Sequence, residues 1–126
     1  FRIGAVSIQT TSRDALPADE PLLLLEEAAE RLDVPVTRVI DLLKEHKIIA
    51  VRADGATAVP EAFFDARRVN KFVPGVIALL SDGGYDDEAI LRHLFTGDDT
   101  LPGRPVDALH GHKAREVMRR AQAMAF

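Results

Sequence analysis

The chain contains no cysteine and no tryptophan, and only one tyrosine. Without cysteine there is no disulfide framework, no thiolate metal site and no cysteine nucleophile, and a reducing cytoplasm is the simplest setting. Long apolar runs are missing as well. The run Leu22-Leu23-Leu24-Leu25 falls far short of the ~20 residues a bilayer span needs, and Glu26 and Glu27 follow it at once. No signal peptide is recognisable. Nor is there an excess of positive charge: 16 Lys and Arg stand against 20 Asp and Glu, a formal net charge of -4. A protein that neutralises phosphates ordinarily carries a basic face, so this balance lowers the expectation of a nucleic-acid partner. It does not remove that expectation, because the field depends on where the charges sit.

Catalytic signatures are also lacking. No Gly-x-Ser-x-Gly elbow, phosphate-binding loop or dinucleotide fingerprint occurs, nothing nominates a cofactor, and the chain does not read as an enzyme. The four histidines are His46, His93, His110 and His112. His110-Gly111-His112 offers two nitrogen ligands across an expected helix break, with no helical His-Glu-x-x-His to support a metal. Asp86-Asp87-Glu88 and Asp98-Asp99 lack the alternating spacing and central glycine of a calcium loop, and read as helix N-terminal and loop charge.

What is present is the composition of an ordinary globular protein, 47% hydrophobic and 29% charged over 126 residues. That length suits one domain, or two small units sharing a core. Residues 1–20 read as a flexible arm: a weak strand-like alternation from Arg2 to Ile8, then the turn and loop stretches "QTTSRD" and "LPADEP". Thr10, Thr11 and Ser12 read as exposed hydroxyls. Thr10 and Thr11 are candidates for phosphorylation, with plain solvated loop as the simpler reading.

Residues 21–72 carry the more specific pattern. Leu25, Ala28, Ala29 and Leu32 recur at helical spacing, with Glu26 and Glu27 in a first turn where the helix dipole favours acid. Val36, Val39, Ile40 and Leu43 form a second periodic run, and Pro35 suits its first turn. So few residues separate the two helices that they must cross sharply. Such a crossing needs a small residue in the first helix, here Ala29. It also needs apolar residues around the turn and along the inner face, here Leu32, Val34, Val39 and Leu42. Asp33 stands where such turns often carry glycine, and aspartate tolerates the left-handed conformation better than most residues. A short β-type run from Ile48 to Val51, the tight-turn pair Asp54-Gly55 and a return through Ala58 and Val59 to Pro60 predict a hairpin directly afterwards.

Residues 73–126 read as a helical bundle. Its expected helices run from Pro74 to Leu80, from Asp86 or Asp87 to a stop before Gly97, and from Arg104 to the end with a break near Gly111. Val106, Leu109, Val117, Ala121 and Met124 make the apolar stripe of the last segment. The predicted fold is therefore mostly α with a small β-hairpin wing: a winged helix-turn-helix followed by a C-terminal helical bundle.

On "EAAERLDVPVTRVIDLL" and the hairpin that follows, the stretch Leu24 to Phe64 resembles the winged helix-turn-helix of the excisionase and MerR-like families. Over nearly all of the chain after the arm, "DEPLLLLEEAAERLDVPVTRVIDLLKEHKIIAVR", "FVPGVIALLSDGGYDDEAILRHLF" and "RPVDALHGHKAREVMRRAQAMAF" look like a small actinobacterial winged-helix DNA-binding family known from mycobacteria. That family is associated with Ser/Thr kinase signalling. The stretch "GRPVDAL" and the helix after it are also similar, over a short span, to the toxin-binding domain of some antitoxins.

The resemblance implies a regulator that binds double-stranded DNA, with a Ser/Thr protein kinase as a further partner. Carried onto this sequence, Pro35, Thr37, Arg38 and Asp41 would face the groove, with Lys44 near the backbone and Arg52 and Thr57 in the wing. Lys47, Arg67, Arg68 and Lys71 would add phosphate contacts. Asp41 departs from the basic residue often found at its position and predicts modest affinity. The rival reading is a protein-interaction module acting through the C-terminal helices, antitoxin-like or scaffolding. An exposed apolar patch around Val106, Leu109 and Met124 would favour it.

Overall fold

The computed structural model describes residues 8–125. The weak strand expected from Arg2 lies almost entirely outside that range. The elements follow the order β1 (Thr10–Ser12), a 3-10 turn (Arg13–Ala15), β2 (Leu22–Leu24), α1 (Leu25–Leu32), α2 (Val36–Lys44), β3 (Ala50–Ala53) and β4 (Ala56–Pro60). A 3-10 turn (Glu61–Phe63) then leads to α3 (Val73–Asp82), α4 (Asp87–Phe95), α5 (Pro105–Ala108) and α6 (Ala114–Met124).

The arm expectation needs correction for residues 10–20. β1 pairs in parallel with β3, Thr10 opposite Ala50 and Thr11 opposite Val51. Ala15 and Leu16 are buried in the core, and so is Glu20. Thr10 and Thr11 are half-buried sheet residues; only Ser12 is exposed, and its hydroxyl accepts a hydrogen bond from the Asp14 N–H. The hairpin β3–β4 is present, but it is the middle of a four-stranded sheet in the order β1-β3-β4-β2. β2 closes the other edge, antiparallel to β4. Because β1 and β3 are parallel, the chain between them must cross over, and α1 and α2 ride on that crossover.

The helices end where the sequence supplies stops. The Asp86 side chain caps α4 by accepting from the Ala89 N–H at 2.8 Å. α3 stops at two glycines with different duties. Gly84 takes a φ of +94°, while Gly83 makes room: a Cβ there would lie 2.7 Å from the Ala125 Cα, beside the end of α6. Asp82-Gly83-Gly84 therefore ends one helix and seats another.

A single core joins the two halves. Ala28, Val39, Val51 and Phe63 belong to the same buried cluster as Ile77, Leu91, Leu94, Val106 and Val117. The Phe63 and Phe95 rings meet edge to face across the junction, with centroids 5.7 Å apart. Polar clasps reinforce it. Buried Glu20 pairs with Arg104, which also binds Asp107 at 2.9 Å. These hydrogen bonds, the one to Asp107 first, raise the Arg104 pKa and keep the guanidinium charged despite its partial burial.

Candidate nucleic-acid interface

α1 and α2 cross at the expected turn. Asp33 sits in the left-handed region, φ 57° and ψ 48°, and the Val34 N–H bonds back to the Ala29 carbonyl at 3.0 Å. This is a helix C-terminus closed without glycine, at the modest steric cost aspartate incurs there. Ala28 and Ala29 are buried at the crossing. Pro35 stands just before α2, so the helix begins at Val36.

The faces of α2 then separate. Val39 and Leu42 are buried, and Val36 and Leu43 pack partly against the core; Ile40 is only partly buried. Pro35, Thr37, Arg38, Asp41 and Lys44 are all exposed. The wing turn is tight, with Asp54 at φ 52° and Gly55 at φ 80°, as a two-residue hairpin turn of the right twist requires. Arg52 and Thr57 are directly opposite each other across the hairpin. Arg52 is exposed and donates from Nη1 to the Gly55 carbonyl at 3.3 Å, which aims it along the turn; Thr57 is half-buried.

Charge on this face is balanced. Between residues 33 and 57 the exposed bases are Arg38, Lys44, Lys47 and Arg52; the exposed acids are Asp33, Asp41, Glu45 and Asp54, four against four. Lys47 is partly engaged by Glu45 at 3.5 Å.

Arg67, Arg68 and Lys71 do not sit with the wing turn. They belong to the loop at the opposite end of β4, where a bridge between Phe64 and Val69 folds the chain back. Arg68 reaches Asp65 at 3.5 Å, and the Lys71 ammonium lies 5.2 Å from the Phe72 ring centroid. The loop is tied to the C-terminal half. The buried Asn70 amide donates to the Leu109 carbonyl at 3.0 Å and to Asp65 Oδ1 at 3.1 Å, while its own oxygen accepts from the Phe72 N–H. His110 bridges Asp65 and the Ala62 carbonyl, at 2.9 and 2.6 Å. Burial works against the Asp65 carboxylate, but the hydrogen bonds from Asn70 and His110, with the nearby charges, hold its pKa below the ordinary value.

One contact at the far end of α2 has no signal in the sequence. His46 turns the chain with a φ of 60°, and its Nε2 lies 2.6 Å from Asp87 Oδ1 at the start of α4. No local signal marks that pair, whose members are 41 positions apart. A shallow cleft beside it is lined by Thr10, Thr11, Lys44, His46 and Tyr85. Among the described residues no group of three or more potential ligands could hold a metal ion, and His110 is engaged with Asp65.

The apolar patch that would favour the rival reading is not on the surface. Val106 and Leu109 are buried and Met124 packs partly against the core; among the described residues Leu24 is the one exposed large hydrophobic side chain. No helix of the described residues is long and apolar enough to cross a membrane.

Comparison with known proteins follows this geometry. Residues 9–64 match the family described as "DNA-binding protein Rv2175c, wHTH domain". Residues 70–125 match the "Rv2175c C-terminal domain of unknown function". The chain is 44% identical over 138 aligned positions to the DNA-binding protein Rv2175c of Mycobacterium tuberculosis, covering 99% of this chain and 92% of that protein. The NMR structure of Rv2175c superposes with a TM-score of 0.83 at 41% identity, over 100% of this chain and 99% of the other. With the winged helix, the C-terminal helices and the whole length all matched, the chain belongs to the Rv2175c family of winged helix-turn-helix proteins.

Proposed function

We propose that this protein binds double-stranded DNA as a regulator, acting by recognition rather than catalysis in the cytoplasm, with α2 in the major groove and the β3–β4 wing against the backbone or minor groove. The observation that carries the reading is the split of α2. Val39 and Leu42 anchor it in the core, while Thr37, Arg38, Asp41 and Lys44 project outward, and the hairpin that follows carries exposed Arg52. The printed name of the Mycobacterium tuberculosis relative supports the same function.

In this arrangement Arg38 donates to a guanine edge or a phosphate, and Thr37 meets a phosphate or a thymine methyl. Pro35 starts the helix at the groove, and Lys44 and Lys47 stand near the backbone. Arg52 and Thr57 present one polar pair from the wing. Asp41, within the exposed row, repels phosphate and favours bases that can donate, such as cytosine through its amino group. Selectivity from few contacts, at modest affinity, is the outcome.

The test is a salt-titrated binding assay of the full chain on a selected duplex and on random duplexes. Arg38→Ala with Arg52→Ala is expected to weaken the selected site by more than ~10-fold, since a good bidentate pair discriminates by about 1–3 kcal/mol. Unchanged affinity at low salt would reject this face.

A further inference from the structure

Exposed positive charge also gathers away from α2. The loop 65–72 and the turn 110–115, remote in sequence, are stapled together through Asn70 to Leu109 and through His110 to Asp65 and Ala62. On the loop side, Arg67, Arg68 and Lys71 are exposed; on the turn side, so are Lys113 and Arg115. Lys71 and Arg115 line one shallow depression whose floor includes Asn70 and Gly111. Across the two segments the one acid is Asp65, which shares that depression and is already engaged by Asn70, His110 and Arg68. The next acid along α6, Glu116, is held by Arg119 and Arg120, both at 2.6 Å. Among the described residues, Arg67, Lys71, Lys113 and Arg115 make no ion pair.

We infer that this patch is a second DNA-contacting surface, in which Lys113 and Arg115 of the C-terminal helices join Arg67, Arg68 and Lys71 on the phosphate backbone of the duplex that α2 reads. The proposal rests on the DNA-binding reading and gives the C-terminal half a direct part in it. Charge complementarity selects the occupant. In a protein of net charge -4, five cations whose local acids are already satisfied form a site for a polyanion. Distance permits one duplex to serve both surfaces. β4 and the 3-10 turn after it, which lie between the wing turn and the patch, span at most about 25 Å, less than one ~34 Å turn of B-DNA. The two surfaces divide the work. The charge-balanced α2 face contributes sequence preference, and the patch contributes sequence-independent attraction.

The experiment compares the full chain with Lys113→Gln/Arg115→Gln and, separately, with Arg38→Ala/Arg52→Ala, on selected and random duplexes across a salt series. The patch substitutions are expected to weaken both duplexes equally, and to reduce the slope of log K against log salt by about 1–2, near 0.9 per lost phosphate contact. Circular dichroism and Tm should be unchanged, because neither side chain has an ion-pair partner to lose. The Arg38/Arg52 variant should lose affinity mainly for the selected duplex. If the patch variant keeps wild-type affinity and slope while the Arg38/Arg52 variant loses the selected site, the second surface is rejected and the DNA-binding reading stands. If the wild-type chain shows no salt-dependent binding to any duplex, that reading itself fails. Loss confined to the selected duplex in the patch variant would also overturn the proposal, since backbone contacts do not discriminate sequence.

Discussion

The exposed face of α2 with the wing, and the patch made by loop 65–72 with the start of α6, are both polar and solvated, yet they are built on opposite plans. The first is contiguous in sequence, four bases against four acids, on two regular elements with repeating geometry. The second joins segments some forty positions apart, is held by one buried asparagine and one histidine, and is strongly basic. Periodicity locates the first kind of surface. Only the folded chain reveals the second, and net charge conceals it: the excess acid elsewhere, on the exposed Glu26, Glu27 and Glu30 of α1 among other places, outweighs the patch. An acidic protein can therefore carry a phosphate-binding surface if its cations are clustered and its acids dispersed.

The comparison breaks most completely at Asn70. Truncating it to alanine leaves the Leu109 carbonyl without a partner in a buried place, and the Phe72 N–H and one side of Asp65 without partners in a half-buried one. A loss of about 2–4 kcal/mol is expected, enough to lower Tm by roughly 10 °C or more, measurable by calorimetry. Salt dependence of DNA binding should fall with it, because the two cation-bearing segments are no longer held together. A smaller change tests the other surface. Asp41→Lys removes the acid from the exposed row of α2 and adds a cation, so affinity for random duplexes should rise roughly 3–10-fold while the ratio of selected to random binding falls. A ratio that stays constant would mean Asp41 does not face DNA.

The pair His46–Asp87 fixes α2 from the side of the C-terminal helices, and His46→Ala should be milder still. The pair is partly exposed, so stability should change by no more than ~1 kcal/mol. Affinity for the selected duplex should fall with no change in salt slope, because the positioning of α2 is disturbed and no phosphate contact is removed. Equal losses in affinity and slope would argue that His46 itself touches the backbone.

The smallest effects are in pH. Burial lowers the His93 pKa against the opposing charge of Asp98, so folding disfavours its protonation. Its contribution is complete above the ordinary value near 6.5 and is lost as pH falls through the lower folded value. His93→Gln should flatten the dependence of Tm on pH below 6.5. Glu116 behaves in the same sense further down. The hydrogen bonds of Arg119 and Arg120 lower its pKa from 4.5 to about 2, so its support is present above 4.5 and lost as pH falls toward 2. Glu116→Gln should blunt acid unfolding in that range.

The helices were legible because each carried local punctuation: Pro35 before α2, Asp86 before α4, Gly83-Gly84 after α3, and the left-handed Asp33 between α1 and α2. The hairpin was legible from Asp54-Gly55 between the β-type run at Ile48–Val51 and the return through Ala58 and Val59. The outer strands were not. "TTS" and "LLL" are three residues each, too short to show a period of two, and their pairing depends on partners 34 to 40 positions away. The same limit applies to the interface. Thr37, Arg38, Asp41 and Lys44 follow from helical spacing once Val39 and Leu42 are known to face inward. The separation of Arg67, Arg68 and Lys71 from the wing turn, and their meeting with Lys113 and Arg115, depend on the Asn70 and His110 bonds. Nothing local encodes those.

The parallel pairing of β1 with β3 has a consequence for how the molecule assembles. Thr10 meets Ala50 across forty positions, and closing so long a loop for three residue pairs returns little against its entropy before the hairpin exists. α1, α2 and the β3–β4 hairpin rest on local contacts and are expected to form ahead of the two outer strands, of which β1 has the longer separation. It should also be the first to exchange its amide hydrogens, opening at a lower free energy than the hairpin it flanks.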